Sequence, residues 1–172
     1  MKTIFISGVC GVGKSTLMPF LRELLPTTFT VVDFDSRGVP DGADHAWRKK
    51  EATHWLNEGS VLLQSGQCLV VCGFVKLGDF DSTQLEELTI IVLDADADTI
   101  RARLVGRYTK NGVFDETQMV IGKSVQEFID GNVWYSQKMR EESATEGLSV
   151  IDTSNKTPSE VAQEVARIIT TS

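Results

Sequence analysis

Thr3-Ile4-Phe5-Ile6-Ser7-Gly8-Val9-Cys10-Gly11-Val12-Gly13-Lys14-Ser15-Thr16 decides how the rest of the chain is read. An apolar strand runs into a glycine-rich turn, and a helix starts at the lysine. The pattern Gly8-x-x-x-x-Gly13-Lys14-Ser15 is a complete phosphate-binding loop, or P-loop. Its glycines let the backbone curl tightly enough to aim consecutive N–H groups at one phosphate chain. The helix adds the positive end of its dipole. In such a loop the lysine ammonium reaches the outer phosphates and the serine hydroxyl ligates magnesium. ATP and Mg²⁺ are therefore the expected ligands. Gly8, Gly11, Val12, Gly13, Lys14, Ser15 and Thr16 are the expected contacts, with Ser15 on the metal.

The chain has 172 residues, 41% hydrophobic and 24% charged, which suits one domain with a full core. Its net charge of −7 argues against a broad basic face for nucleic acid, so anions must be met by local clusters. Met1-Lys2 leads straight into the first strand, so no signal peptide is expected, and no apolar run approaches membrane-spanning length. Cys68 and Cys72 share one face of a strand but are too far apart to bridge. With Cys10 they read as three reduced thiols and a cytoplasmic protein, either monomer or homodimer.

Outward from the P-loop, buried apolar runs predict further strands at Thr30–Phe34, Cys68–Cys72, Thr89–Leu93 and Leu148–Ile151. Helical patterning predicts helices over Lys14–Leu25, with a kink at Pro19, and over Ala46–Gln64, divided near Gly59. Further helices are expected over Ala97–Val105, over Asp115–Glu142 with a break near Gly131-Asn132, and from Pro158 to Ile169. Between them, Gly106 to Val113 reads as a small lid. Strands alternating with helices imply a three-layer α/β fold: a five-stranded parallel sheet with helices on both faces. Ligands of such sheets bind beyond the carboxyl ends of the strands. Asp33 and Asp35 follow one strand and Gly73 to Lys76 another, so both groups should meet the P-loop at one cleft.

Together these features resemble the P-loop small-molecule kinases, the group containing adenylate kinase, shikimate kinase and gluconate kinase. The resemblance spans nearly the whole chain in order. Arg103-Leu104-Val105-Gly106-Arg107 is similar to the arginine pair that opens the lid in these enzymes. Asp33-x-Asp35 is similar to the acceptor-site aspartates of shikimate kinase, and Gly73-Phe74-x-Lys76 to a glycine-phenylalanine turn of adenylate kinase. Asp152-Thr153-Ser154 with Thr157-Pro158 resembles the adenine-side loop. Cys72 stands where the group often has an acidic residue, which leaves Asp33 as the acid behind the magnesium. Lys123, Lys138 and Arg140 offer positive charge in the helix after the lid.

The expected chemistry is phosphoryl transfer, with Lys14, Arg103 and Arg107 neutralising charge and Asp35 acting as base. Residues about 35 to 65 form the expected acceptor region, with Asp33, Asp35, Arg37, Gly73 and Lys76 facing a small-molecule acceptor. Asp152, Thr153 and Pro158 would border the adenine. The Arg48-Lys49-Lys50 run reads as a solvated face, and Trp47 and Trp55 as core. A hydroxyl of a metabolite or nucleoside fits the aspartates best, and a nucleoside monophosphate is the alternative acceptor. A regulatory GTPase would need Asn-Lys-x-Asp, and Asn155-Lys156-Thr157-Pro158 lacks its aspartate. Intact Lys14 and Ser15 argue against a non-catalytic binding module.

Overall fold

A computed structural model describes residues 2–110, 113–114, 119–120 and 122–171. Its centre is β1 (Thr3–Ser7), every residue of which is buried. Parallel neighbours flank it: β3 (Cys68–Cys72), also buried throughout, and β4 (Leu88–Asp94). β2 (Phe29–Asp33) pairs with β3, and β9 (Ser149–Asp152) pairs with β4. The five-stranded parallel sheet has the order β2-β3-β1-β4-β9. Apolar runs without alternation suit strands covered on both faces, and helices supply that cover. The strand ends Ser7, Asp33, Cys72, Asp94 and Asp152 fall along one edge, because Asp33 pairs with Cys72 and Asp94 with Asp152.

α1 (Lys14–Leu24) buries Leu17, Met18 and Leu21, and it packs against α5 (Pro158–Thr171), which buries Val161, Ala162, Val165 and Ile169. Pro19 lies inside α1 without ending it, at the loss of the hydrogen bond to the Ser15 carbonyl. α2 (His45–Gln64) packs on β3 and is capped by the Asp44 carboxylate, which accepts from the Trp47 N–H. α3 (Ala97–Tyr108), capped by Asp96, packs on α4 (Val125–Glu146), which opens with a Ser124–Glu127 capping box.

Several boundaries differ from the sequence reading. β2 ends at Asp33, and Phe34–Arg37 forms a 3₁₀ turn, because the Asp33 carboxylate accepts from the Asp35 N–H at 2.8 Å while Phe34 buries its ring. α2 is unbroken at Gly59; the glycine is there for packing, since a Cβ would sit 2.0 Å from Thr3 Oγ1. α4 runs through Gly131-Asn132 and starts at Val125, not Asp115. Before it, β7 (Met119–Val120) and β8 (Lys123–Ser124) make a hairpin, and β5 (Thr109–Lys110) pairs with β6 (Val113–Phe114). α3 extends to Tyr108, so Gly106 and Arg107 are helical rather than part of a lid loop. Tyr108 meets Phe128 edge-on at 5.9 Å. Residues 111 and 112 of the expected lid lie outside the described residues.

Arg48 is not part of a solvated face. Its Nε lies 3.0 and 3.1 Å from the two carboxylate oxygens of Asp79, a residue with no exposed surface. Trp47 and Trp55 do belong to the core side, with Trp55 Nε1 donating to the Phe34 carbonyl at 3.0 Å. None of the three cysteines is in a disulfide. Among the described residues no helix is long and apolar enough to cross a membrane.

The contact at Gly59 gives a direct check of how α2 is seated. Gly59→Ala removes a helix-weakening glycine, yet its methyl has to displace Thr3 in the central strand. A net loss of about 1–3 kcal/mol is expected from urea unfolding, the usual cost of an overpacked core. A variant as stable as wild type would show that α2 sits farther from β1.

Candidate active site

The turn between β1 and α1 depends on backbone that side chains disfavour. Gly11 has φ +92° and Gly13 φ +103°, and a Cβ on Gly8 would come within 2.5 Å of the Leu93 carbonyl oxygen. Gly13 occupies the N-cap of α1 in left-handed conformation. No side chain caps the helix there, and its first turn holds no acidic residue. The first amides of α1 are thus left to an outside acceptor, at the positive end of the dipole. Lys14 folds over this turn, its Nζ donating to the carbonyls of Gly8 at 2.6 Å and Val9 at 2.9 Å. Burial pulls the Lys14 ammonium below the ordinary lysine range, and the Asp35 carboxylate opposes that pull.

Two cavities meet at the P-loop. One, of about 300 Å³, lies between Gly11–Gly13, the α3 arginines Arg103 and Arg107, and Thr153 and Pro158 after β9. Arg103 is fixed by donating to the Gly11 carbonyl at 3.2 Å, to Thr153 Oγ1 at 3.0 Å and to the Thr153 carbonyl at 2.8 Å. Thr153 is itself buried, with Oγ1 3.0 Å from the Val12 carbonyl. The sequence therefore placed Arg103, Arg107, Thr153 and Pro158 around one space with the P-loop. Asp152 does not line it. Its carboxylate turns to Ser154, accepting from the Oγ and the N–H, and those hydrogen bonds hold it below the usual carboxyl range.

The second cavity, of about 570 Å³, opens from Lys14, Ser15 and Thr16 toward Asp33 and Asp35. Cys72 and Gly73 lie along it, and Phe74, Trp134 and Tyr135 form an aromatic wall. Gly73 is held tightly, since a Cβ there would be 2.1 Å from Phe34 Cβ. The two aspartates do not lie on one extended segment, since β2 ends at Asp33 and Asp35 lies in the turn that follows. They are joined through the 3₁₀ turn, and both still border the cavity. Asp35 has its carboxyl raised above the ordinary range, first by burial in the cleft and then by the Asp33 carboxylate, with Lys14 pulling the other way. Burial pushes the Cys72 thiol up to about 12, so it stays protonated and supplies no negative charge of the kind an acidic residue would. Ser15 and Asp33 offer hard oxygen donors on the same cavity, which fits a magnesium ion. One Asp33 oxygen is already held by the Asp35 N–H.

Two expected substrate contacts fall away. Arg37 lies outside the cavity and pairs with Glu51 at 3.6 Å. Lys76 does not line the cavity either, its Nζ lying 5.1 Å from the Tyr135 ring centre. Of residues 35 to 65, only Asp35 borders the cavity. In the helix after the expected lid, Arg140 donates to the Asp94 carboxylate and Lys138 pairs with Glu142, which leaves Lys123 as the cation of that group on the cavity. Asn132 was not foreseen. Its Oδ1 accepts from the Cys10 N–H at 2.9 Å, tying α4 to the P-loop. A distance of 122 positions in sequence hides such a pair, and Gly131-Asn132 read instead as a break. Trp134, 62% exposed on the cavity wall, carried no periodic signal either.

No protein-family model matches the chain, and no curated protein matches its sequence. Solved structures do match. A shikimate kinase from Bacteroides thetaiotaomicron is 17% identical, with TM-score 0.60 and 98% of each chain covered. A shikimate kinase from Acinetobacter baumannii, solved with shikimate, is 19% identical, with TM-score 0.59, covering 99% of this chain and 94% of that one. A gluconokinase from Sinorhizobium meliloti 1021 is 17% identical, with TM-score 0.57, covering 99% and 92%. The chain has the fold of the P-loop small-molecule kinases along nearly its whole length.

Proposed function

We propose that this protein is a phosphotransferase that moves the γ-phosphoryl group of Mg·ATP to a hydroxyl of a small metabolite or nucleoside. The observation that carries the reading is the shared cavity. It sets the uncapped end of α1 and Lys14 across from a carboxylate whose proton affinity is raised. The amides of Gly11 to Thr16 and the Lys14 ammonium hold the phosphates, while Arg103 and Arg107 flank the base-side cavity. The adenine lies between α3 and the Thr153–Pro158 segment. Ser15 and Asp33 hold magnesium, which neutralises phosphate charge when bound. Asp35 accepts the proton of the acceptor hydroxyl. A nucleoside monophosphate would need no base but would need cations for its own phosphate. Arg37, Arg48 and Lys76 are held elsewhere, which favours the hydroxyl acceptor.

Lys14→Ala is expected to lower ADP formation by at least a hundredfold or so, because it removes the cation built into the loop. Turnover like wild type would refute the assignment. Arg103→Ala cuts the link between Gly11 and Thr153, and the KM for ATP should rise about tenfold. An unchanged KM would separate that clamp from nucleotide binding.

Asp35 acts as base only when ionised. Its raised carboxyl puts the rise of kcat/KM with pH above the ordinary carboxylate range, followed by a plateau. Asp35→Asn should flatten that limb and lower kcat by about 10²–10⁴, with Mg·ATP affinity held within a few fold. An ionised carboxylate with a raised pKa opposes folding as pH climbs through that value. The Asn variant should accordingly melt no lower than wild type at neutral pH. An unchanged kcat would remove Asp35 from the proton path.

A further inference from the structure

The acceptor half of the large cavity has a chemistry of its own. Its carboxylates are Asp33 and Asp35, Lys123 and Asn132 border it as well, and Phe74, Trp134 and Tyr135 give it an aromatic wall. Trp134 leaves most of its surface open on that wall. It is backed by Tyr135 at 5.9 Å between ring centres, and Tyr135 by Phe74 at 5.4 Å. The Lys138 ammonium lies 5.7 Å from the Trp134 ring centre, which further fixes the indole. This is a supported, pre-set flat surface rather than a loose side chain.

Three nearby cations that could take an acidic acceptor are turned away from it. The Arg48 guanidinium lies 5.1 Å from the Phe74 ring centre, but it is held between Asp79 and His45. Lys76 packs on Tyr135 outside the cavity, and Arg37 pairs with Glu51. Among the described residues, the cavity's cations are Lys14 and Arg107 at the P-loop and Lys123 on the β7–β8 hairpin. Lys14 and Arg107 border the phosphate side, next to Gly11 and Gly13, which leaves Lys123 alone among the described cations to set against the two carboxylates of Asp33 and Asp35. A carboxylate or phosphate on the acceptor would face Asp33 and Asp35 at close range, in a site that penalises unpaired anions. A flat ring loses little by stacking on Trp134.

We propose that the acceptor is an uncharged or cationic alcohol carrying a planar ring, of the nucleoside type, with that ring stacked on Trp134. This rests on the phosphotransferase reading above and narrows its acceptor. In the transfer, the acceptor oxygen forms a bond to the γ-phosphorus while the bond from that phosphorus to the β–γ bridging oxygen breaks. The hydroxyl proton passes to Asp35, and the products are ADP and a phosphate monoester of the alcohol.

The test is ADP release in the presence of Mg·ATP and three acceptor sets: unphosphorylated nucleosides, the hydroxy acids shikimate and gluconate, and nucleoside monophosphates. Binding of a fluorescent ATP analogue to the same preparation is measured in parallel. At least one nucleoside should raise ADP release tenfold or more over the acceptor-free rate, and neither acidic set should. Trp134→Ala should then raise the KM for that nucleoside about tenfold, with kcat within threefold, and Trp134→Phe should restore most of the loss. Stimulation by a hydroxy acid or a monophosphate alone overturns the proposal. So does an unchanged KM in Trp134→Ala, or a nucleoside set that is inert while the ATP analogue still binds. Failure of the wild-type protein to bind the analogue would bring down the phosphotransferase reading itself.

Discussion

The unclaimed amino end of α1 is the constraint on which the remaining structure turns. A helix end normally satisfies its first amides with a side-chain cap. Here the cap position is Gly13 in a left-handed conformation, with no side chain to give. The contrast within the chain is direct, because α2, α3 and α4 are capped by Asp44, Asp96 and Ser124. The end is also fixed in space. It follows the central, fully buried strand of the sheet, and Gly8 lies so close to the Leu93 carbonyl that no side chain fits. Three further connections hold the turn: Arg103 and Thr153 from one side and Asn132 from the other. An anion site built in this way needs little reorganisation when charge arrives.

Parallel sheet topology then decides what faces that end. Because all five strands point the same way, their carboxyl ends share one rim. Asp33, Cys72 and Asp94 reach that rim in register, and each has a different fate. Asp94 is buried and taken by Ser136 and Arg140, where it holds α4 against the sheet. Cys72 is a neutral thiol. Asp33, with Asp35 one turn on, is the carboxylate pair left open to the cavity. Aspartate at two of these strand ends thus serves packing at Asp94 and borders the cavity at Asp33, according to what each meets.

The fold was legible because its signals are local. The P-loop pattern, the unbroken apolar strands and the capping residues each depend on neighbours a few positions apart. The glycines misled where their role is tertiary: Gly59 and Gly131 read as breaks, whereas Gly59 makes room for Thr3 and Gly131 lies on the cavity wall. Site residues that extend the P-loop nucleotide pattern, such as Arg103 and Thr153, did come together with it. The positive side chains failed more often. Arg37 and Lys76 stand near the right loops, but long flexible side chains choose partners that sequence spacing does not reveal. Asn132 and Trp134 act across the fold from one helix and left no trace in local pattern.

In the proposed reading one P-loop serves two cavities with different tasks, the nucleotide base on one side and the acceptor on the other. A crystal structure with a non-hydrolysable Mg·ATP analogue tests it most directly. The phosphates are expected on the amides of Gly11 to Thr16, and the adenine in the space bordered by Arg103, Thr153 and Pro158. Asp35 and Trp134 should remain clear of the nucleotide. An adenine stacked on Trp134, or phosphates away from the end of α1, would rule out this division of the two cavities.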